Sequence, residues 1–298
     1  MIMMSRAVNK IKVSVIIPTY HDWDRLALCI EALKNQSYPA ELFEVIIVNN
    51  DPNDIGPELN LSKNFQVISE SRPGSYAARN AGLAIAKGKI IAFTDSDCIP
   101  DKDWILNAVA RLEAGAERVA GRVELFFKSN KLTLAEIYEK AYAFDQESNA
   151  KGGGSVTANM ITWRKHFDTV GWFNDSLMSG GDYEWGWRAN DFGIPIQYAP
   201  EVAVKHPARD SLAAMFQKWR RVAGGAVNTD RKEVIQSLLM LLIRGYLPPI
   251  RKLFKPWRNA EMTFSEKLIA MSMINYLKVY STTYKIGLLL GIKKPERV

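Results

Sequence analysis

Two carboxylates, Asp95 and Asp97, stand at i and i+2 directly after an apolar run in "GKIIAFTDSDCIP" (88–100). Hard divalent cations such as Mg²⁺ or Mn²⁺ take carboxylate oxygens and often complete their coordination with substrate phosphates. A short acidic turn at the end of a strand could therefore hold such an ion against a diphosphate. The alternative is a turn in which an aspartate caps the helix that begins in "CIPDKDWILNAV".

The elements predicted around the acidic pair alternate between strands and helices. Near-continuous apolar runs at 13–18, 43–51 and 89–94 are typical of strands buried on both faces. Segments 24–35 and 75–87 carry apolar residues at helical spacing. This alternation predicts βαβ units and a mostly parallel central sheet.

Polar residues follow each of the three predicted strands. They are Thr19, Asn49 to Asp51, and Asp95 to Asp97. In parallel sheets ligands bind in the crevice at the carboxyl ends of the strands. Three polar clusters are therefore expected at one edge of one sheet.

The composition predicts an ordinary globular protein. The chain has 298 residues, of which 47% are hydrophobic and 24% are charged. The two cysteines, Cys29 and Cys98, suggest no disulfide framework, which favours a reducing compartment. The start lacks the apolar core of a secretory signal, and no run reaches the ~18 apolar residues of a membrane span. A cytoplasmic location is expected.

The net charge of +7 is unevenly distributed. Residues 1–204 hold 21 Lys+Arg and 26 Asp+Glu, whereas residues 205–298 hold 18 and 6. A basic C-terminal region could meet an anionic surface, either nucleic acid or anionic lipid, or it could be a basic face without a specific partner.

Four stretches together resemble the family 2 glycosyltransferases, which have the GT-A fold. They are "VSVIIPTY" (13–20), "FEVIIVNNDPND" (43–54), "GSYAARNAGLAIAKGKIIAFTDSDCIPDKDWI" (74–105) and "GGDYEWGWR" (180–188). The succession "AARNAG", "AKG", "FTDSD" is specific in order and spacing. The resemblance implies a metal-dependent, inverting transfer of a sugar from a nucleotide-sugar to an acceptor hydroxyl.

The resemblance also implies a Rossmann-like α/β catalytic domain with a mostly parallel sheet. It covers roughly residues 12–207, so we expect a GT-A domain at 1–207 and a basic, amphipathic helical extension at 208–298. The extension could lie in a membrane interface, pack on the catalytic domain, or pair with a second subunit. Binding at the inner face of a membrane would make the protein peripheral.

Donor binding is assigned by the resemblance to residues near the strand ends. These residues are Pro18, Thr19, Tyr20, Asn50, Asp51, Arg79, Asp95 and Ser96. Where the family usually has two acids followed by Gly-Ser, this chain has "NNDP". An amide donates and accepts whereas a carboxylate only accepts, so the nucleotide base is not fixed by the pattern. Arg79 would face the nucleotide, or would be a helix-surface arginine.

The same resemblance implies the metal ligands. Asp97 would bind Mg²⁺ or Mn²⁺ directly, and Asp95 would lean toward the ribose and the metal. His206, after the short strand 201–206, would add a ligand or contact the diphosphate; otherwise it is structural.

Asp182 matches the family's general base, a carboxylate within hydrogen-bond reach of the acceptor hydroxyl. The family commonly has Glu-Asp here, whereas this chain has Gly181-Asp182. The alternative roles are an N-cap for Asp182 and the base for Glu184.

Acceptor-side residues are expected at Asn159, Glu184 and Trp185. Asn159 is a candidate sugar contact, and Trp185 could stack on a sugar or lie in the core. Gly152 to Gly154 would form a mobile loop or a turn. The acceptor would be a glycan, lipid-linked or protein-linked, in polysaccharide or glycoconjugate biosynthesis.

Two other classes remain as alternatives. A sugar nucleotidyltransferase should show a Gly-rich basic phosphate loop after the first strand, which "IIPTYHDWDRL" lacks. A non-catalytic sugar- or nucleic-acid-binding protein would explain the basic tail but not the separated acids, so nucleic acid is not the expected partner.

Overall fold

The computed structural model describes residues 11–225 and 238–294, and its strands form one eight-stranded sheet. The strands are β1 Val13–Thr19, β2 Phe43–Asn49, β3 Phe65–Ser69, β4 Ile90–Thr94, β5 Ile99–Pro100, β6 Arg118–Phe126, β7 Asn159–Trp163 and β8 Ile196–Pro207. Their order across the sheet is β3-β2-β1-β4-β7-β6-β8-β5.

The first four strands are parallel, which confirms the predicted α/β fold with its Rossmann-like half. β1 lies between β2 and β4, with Val15 opposite Val45 and Ala92. β7 then runs antiparallel to both β4 and β6, and β5 runs antiparallel to β8. The sheet is therefore mixed, with its parallel part at the N-terminal end of the chain.

Helices connect the strands. They are α1 Trp23–Lys34, α2 Ser75–Ile85, α3 Trp104–Glu113, α4 Leu134–Tyr142, α5 Gln146–Lys151, α6 Lys165–Val170, α7 Gly181–Asp191 and α8 Leu212–Gly225. Short helical turns span Ala40–Leu42, Leu241–Gly245, Ile250–Leu253 and Lys255–Arg258, and a long helix spans Phe264–Leu289.

The core lies on both faces of the parallel strands. Every residue of β2 is buried, as the continuous apolar pattern predicts. On α1 the buried residues Leu26, Cys29, Ile30 and Leu33 recur at helical spacing and cover the sheet. Each such aliphatic side chain contributes about 1.5–3 kcal/mol when it is removed from water. The strand ends that carry the polar clusters are thus fixed to a rigid support.

The chain divides into two compact units. The first holds the described residues up to Glu124, with Asp145–Ser176 and Gly181–His206; the second holds Leu125–Phe144, Leu177–Gly180 and the described residues from Pro207. In the second unit α4, α8 and the long helix share a cluster that includes Tyr138, Met215 and Leu277. The C-terminal region is therefore helical, as expected, and the functional boundary between 207 and 208 stays a prediction. Across the described ranges, no helix is long and apolar enough to cross a membrane.

Candidate functional site

All the residues predicted to bind donor, metal or acceptor, or to act as the base, lie in the first unit. β1, β2 and β4 end in register at one edge of the sheet, since Thr19 pairs with Asn49 and Ile16 pairs with Phe93. Parallel strands therefore deliver the loop after β1, the loop after β2 and the acidic turn after β4 to the same edge.

Asp97 lies close to His206, although the two are far apart in the sequence. The Asp97 Oδ2 to His206 Nε2 distance is 3.4 Å, and Oδ2 is 3.5 Å from Arg25 Nη1. Ligand atoms of Asp97, Cys98 and His206 all lie within 4.8 Å of one another. Burial raises the pKa of Asp97, against the lowering effect of the His206 and Arg25 charges. A carboxylate and an imidazole thus converge on one small volume.

Arg79 is a buried residue that faces Asp95, and the helix-surface alternative is wrong. It lies on α2 at 3% exposure, its Nη2 donates to Asp95 Oδ1, and its Nη1 donates to the Ser75 carbonyl at 3.2 Å. Among the described residues, no partner accepts a hydrogen bond from its buried Nε. A guanidinium with a spare donor therefore lies against the acidic turn.

Ser96 connects the acidic turn to the loop after β1. Its hydroxyl donates to Asp22 Oδ2 at 2.9 Å, and Asp22 accepts from Arg25 Nε at 2.6 Å. Asp22 and Arg25 were not identified from the sequence. They surround Asp97 and set the local charge.

Asp182 is a buried carboxylate with three donors. Its Oδ1 accepts from the Tyr76 hydroxyl at 3.0 Å and from the Tyr183 N–H at 3.1 Å, and its Oδ2 accepts from the Thr157 N–H at 3.3 Å. Burial raises the pKa of Asp182, whereas the Arg79 charge and these hydrogen bonds act in the opposite direction. Asp182 is therefore bonded to α2 and to the segment before β7, so its contacts extend beyond the N-terminus of α7.

Glu184 and Trp185 are occupied by structural contacts. Glu184 accepts from Arg188 Nε at 2.6 Å and Nη2 at 3.1 Å, and Arg188 also holds the Trp172 carbonyl. Trp185 is fully buried, stacks on Phe167 at 4.5 Å and donates to the Gly171 carbonyl. Of the two roles left open for Trp185, stacking on a sugar and packing in the core, the structure supports the core role, because both faces of the ring are covered.

Asn159 also has a structural place. It is fully buried, its Oδ1 accepts from Trp104 Nε1, and its Nδ2 donates to the carbonyls of Arg122 and Val202. Every polar atom of the side chain is used inside the protein, so the predicted sugar contact is corrected. The structural role of Asn159 could not be predicted, because the local sequence is the same whether an asparagine binds groups of the protein or a ligand.

Asn50 shapes the segment that leads into α2. Its Nδ2 donates to the carbonyls of Glu70 (3.0 Å) and Arg72 (2.7 Å), and its Oδ1 accepts from the Gly74 N–H at 2.7 Å. These three bonds use both donors and one of the two acceptor lone pairs of the amide, and the contact with base or ribose stays a prediction. A carboxylate could not make the two donations, which explains an amide here.

The first loop combines a buried hydroxyl with an exposed ring. Pro18 pairs with Val48 inside the sheet, and Thr19 Oγ1 is buried with no hydrogen-bond partner among the described residues. Tyr20 is 52% exposed. This end of β1 therefore offers an unused polar atom and an aromatic face.

His21 joins the loops after β1 and β2. Its Nε2 is 3.1 Å from Asp51 Oδ2, and its Nδ1 is 3.2 Å from Asp54 Oδ2. Trp23 Nε1 donates to the same Asp54 oxygen at 2.7 Å. Asp51 is thus beside a residue that sequence reasoning missed.

A glycine turn and a buried arginine position α7, the helix that carries Asp182. Arg118 donates to the carbonyls of Gly153, Gly186 and Ile194 and lies 5.8 Å from the Trp185 ring. Burial lowers the pKa of Arg118 to about 10. The "GGG" stretch is accordingly a packed turn, and the mobile-loop alternative does not describe its contacts.

Tyr76 is the most informative residue missed from the sequence. It stands three positions before Arg79 on α2, so both side chains project from the same helix face. The Arg79 guanidinium lies 5.9 Å from the Tyr76 ring, and each residue reaches a different predicted acid. An i, i+3 pair in "SYAAR" was the available signal.

The fold is that of the GT-A glycosyltransferases. The chain belongs to the glycosyl transferase family 2, whose model matches residues 14–171. It is 32% identical to the glycosyltransferase AglE of Haloferax volcanii over 88% of this chain and 90% of that protein. The predicted family and enzyme class are confirmed.

A second relative has a more explicit name. The dolichyl N-acetyl-α-D-glucosaminyl phosphate 3-β-D-2,3-diacetamido-2,3-dideoxy-β-D-glucuronosyltransferase of Methanococcus voltae is 24% identical over 79% of this chain and 78% of that protein.

Solved structures support the fold. The mannosyltransferase PcManGT of Pyrobaculum calidifontis, in complex with GDP-Man and Mn²⁺, aligns with a TM-score of 0.52 at 18% identity, covering 94% of this chain and 74% of that chain. S. aureus TarS 1-349 in complex with UDP-GlcNAc aligns with a TM-score of 0.51 at 14% identity, covering 95% and 91%.

Proposed function

We propose that this glycosyltransferase moves a sugar from a nucleotide-sugar to an acceptor hydroxyl with inversion, and that it requires a divalent metal. The proposal rests on one face of α2, whose residues contact both acidic centres of the site. Arg79 contacts Asp95 of the acidic turn, and Tyr76 contacts Asp182. A donor phosphate centre and a base centre on one rigid helix are what a direct displacement needs.

Asp97 and His206 would hold Mg²⁺ or Mn²⁺, with Asp95 toward the ribose. Their carboxylate and imidazole donors suit such an ion. Burial raises the pKa of Cys98 well above its ordinary value. A soft sulfur ligand also suits Mg²⁺ or Mn²⁺ less than carboxylate oxygens do. When bound, the metal would offset the charge of the leaving diphosphate. The Mn²⁺ bound to PcManGT supports the proposal of a divalent metal.

Asp182 would accept the proton of the acceptor hydroxyl. As that O–H bond breaks, the hydroxyl oxygen bonds to the anomeric carbon, and the bond from that carbon to the diphosphate oxygen breaks. Tyr76 and the Thr157 N–H keep the carboxylate in place. Arg79 and Arg25 bring two guanidinium groups to the acidic turn, where they would bind diphosphate oxygens.

The nucleoside would lie over the first loop. Thr19 Oγ1 is buried without a partner among the described residues, and Tyr20 and Asp51 flank it in the two loops. We propose a lipid-linked glycan as acceptor, in glycoconjugate assembly, because the printed name of the Methanococcus voltae relative specifies a dolichyl-linked sugar phosphate.

Calorimetry with GDP and UDP, with and without Mn²⁺, tests this proposal. Asp97→Asn removes an anionic ligand at constant size, so it should weaken metal-dependent nucleotide binding by about 10-fold or more. Asp103→Asn, the same change at an exposed position six residues later, should leave it unchanged. Absence of metal-dependent nucleotide binding, or equal affinities for both variants, would contradict the proposal.

A further inference from the structure

The segment 239–258 of the second unit exposes an unusual number of large apolar side chains. Each is 43–68% exposed: Leu239, Met240, Leu242, Ile243, Tyr246, Leu247, Ile250, Phe254 and Trp257. We call residues 239–258 the basic apolar segment. Scattered exposed apolar residues are normal, but nine within twenty positions are not.

The neighbouring helices bury much of their apolar surface within the second unit. Met215 of α8 and Ala270 and Leu277 of the long helix are fully buried and belong to clusters within the second unit. The long helix also exposes four large apolar side chains, Phe264, Leu268, Tyr276 and Val279, but these are spread over 26 residues, whereas the basic apolar segment exposes nine within twenty.

Backbone contacts fix this segment on the long helix. Thr282 Oγ1 donates to the Gly245 carbonyl at 3.0 Å, and Lys278 Nζ donates to the carbonyls of Arg244 (3.2 Å) and Leu247 (2.5 Å). A Cβ on Gly245 would lie 2.4 Å from Thr282 Cγ2, so the glycine permits this close approach. The segment is therefore held by its main chain and by a few side-chain contacts, such as Tyr246 Oη to Thr283 Oγ1 at 3.2 Å, while nine of its large apolar side chains stay 43–68% exposed.

The charges of the segment are all positive. Its sequence contains Arg244, Arg251, Lys252, Lys255 and Arg258 and no Asp or Glu. Cations alternating with exposed aliphatic and aromatic side chains match an interface that is anionic at its surface and apolar beneath. Tyr246 and Trp257 are the aromatic types that suit the boundary between the two. A protein partner would have to present both a deep apolar groove and an acidic rim.

We propose that the basic apolar segment inserts into the headgroup region of bilayers that contain anionic lipid. The apolar side chains enter the acyl boundary while the arginines and lysines stay with the lipid phosphates. This inference rests on the second unit alone and is independent of the sugar-transfer proposal.

Vesicle flotation of the full chain tests the inference. Wild type should float with vesicles of phosphatidylcholine and phosphatidylglycerol, bind pure phosphatidylcholine far less, and lose binding as salt rises. The charge variant Arg251→Gln, Lys252→Gln, Lys255→Gln, Arg258→Gln should bind anionic vesicles at least ~100-fold more weakly. The insertion variant Leu242→Ser, Ile243→Ser, Ile250→Ser, Phe254→Ser should lose a similar factor.

Matched variants control for charge and apolarity elsewhere. They are Lys63→Gln, Lys102→Gln, Lys131→Gln, Lys151→Gln, and Leu28→Ser, Val67→Ser, Leu106→Ser, Phe192→Ser, all exposed positions outside the segment. Both should float like wild type. Equal flotation of the segment variants and wild type would overturn the inference. So would sedimentation without lipid that shows a dimer dispersed by the insertion variant, since a second copy would then cover this face. Should the insertion variant not fold, the charge variant and the salt series decide.

Discussion

Asp182 is buried, and it accepts hydrogen bonds from Tyr76, Thr157 and Tyr183. These bonds favour its ionised form against the effect of burial. Asp182→Asn keeps the size and the acceptor oxygen but removes the base. We expect kcat to fall by about 10²–10⁴-fold while nucleotide affinity is retained. Single-turnover transfer assays together with calorimetry separate the two effects.

Glu184 supplies the matched control. Because its oxygens bind Arg188, Glu184→Gln should keep most of the activity. If Glu184→Gln were inactive and Asp182→Asn active, the general base would have to be reassigned from Asp182 to Glu184.

Tyr76→Phe tests how the pKa of Asp182 is set. The Tyr76 hydroxyl donates to the carboxylate and so favours its ionised form. Without it the pKa of Asp182 rises, and the acid limb of kcat/KM should move to higher pH by up to about one unit. Tyr183→Phe should leave the profile in place, since Tyr183 contacts Asp182 through its backbone N–H.

The acids could be found from the sequence, but their partners could not. A strand end followed by "DSD" and two glycines followed by Asp182 are local patterns. Tyr76 and Asp182 are 106 residues apart, and only the folded sheet brings them together. Asn159 was misassigned for the same reason, because a buried amide satisfied by groups of the protein has no local signature.

At the scale of elements, α7 depends on close backbone contact with the glycine turn. A Cβ on Gly186 would lie 3.1 Å from Gly154 Cα and 3.2 Å from the Gly153 carbonyl oxygen. Backbone atoms cannot swing aside as a flexible side chain can. The position of α7, and of Asp182 on it, therefore depends on residue 186 having no Cβ atom.

Gly186→Ala should shift α7 and disturb catalysis indirectly. We expect the free energy of unfolding to fall by about 1–3 kcal/mol and kcat to fall more than nucleotide affinity. Gly152→Ala, whose Cβ would meet only ordinary contacts at 3.4 Å and 3.7 Å, should stay within about 0.5 kcal/mol of wild type. Urea unfolding and steady-state kinetics measure both; equal behaviour of the two variants would exclude the packing argument.

Elements were predicted well where the pattern was continuous. β2 and β4 are buried throughout, β1 is buried at every position except Pro18, and all three stood out as apolar runs. β3 lies at the sheet edge and only Phe65 of its five residues is buried, so it gave a weak signal. The start of α4 had a local cue that was not used, the capping box between Thr133 and Glu136.

On the scale of the whole molecule, a buried carboxylate couples the stability of the second unit to pH. Glu139 accepts from Arg209 Nη1 and Lys218 Nζ, each at 2.9 Å. Burial by itself would raise the pKa of Glu139, but the two cations outweigh it and hold the pKa at about 2, below the ordinary 4.5. The unfolded chain therefore binds more protons between these values, and stability falls as pH falls through that window.

Urea unfolding from pH 7 to pH 3 tests this coupling. Glu139→Gln should cost on the order of 3 kcal/mol at pH 7, because it leaves the two cations without a carboxylate, and the difference from wild type should shrink as the pH falls. Glu147→Gln, which removes an exposed i, i+4 pair with Lys151, should change stability by at most about 0.5 kcal/mol. A difference that is independent of pH would refute the coupling.

Both cysteines of the chain, Cys29 under the sheet and Cys98 beside the acidic turn, are free and fully buried. Burial raises the pKa of each thiol, so neither is a nucleophile while its shell stays closed. The native enzyme should therefore react with a thiol reagent only as fast as the structure around each cysteine opens, so the labelling rate of each thiol reports local or global unfolding. Nucleotide with Mn²⁺ should slow labelling more at Cys98 than at Cys29, because local opening at the acidic turn must first release the ligand. Mass spectrometry of pulse-labelled chains would read the two positions separately, and equal protection at both would indicate a single global opening.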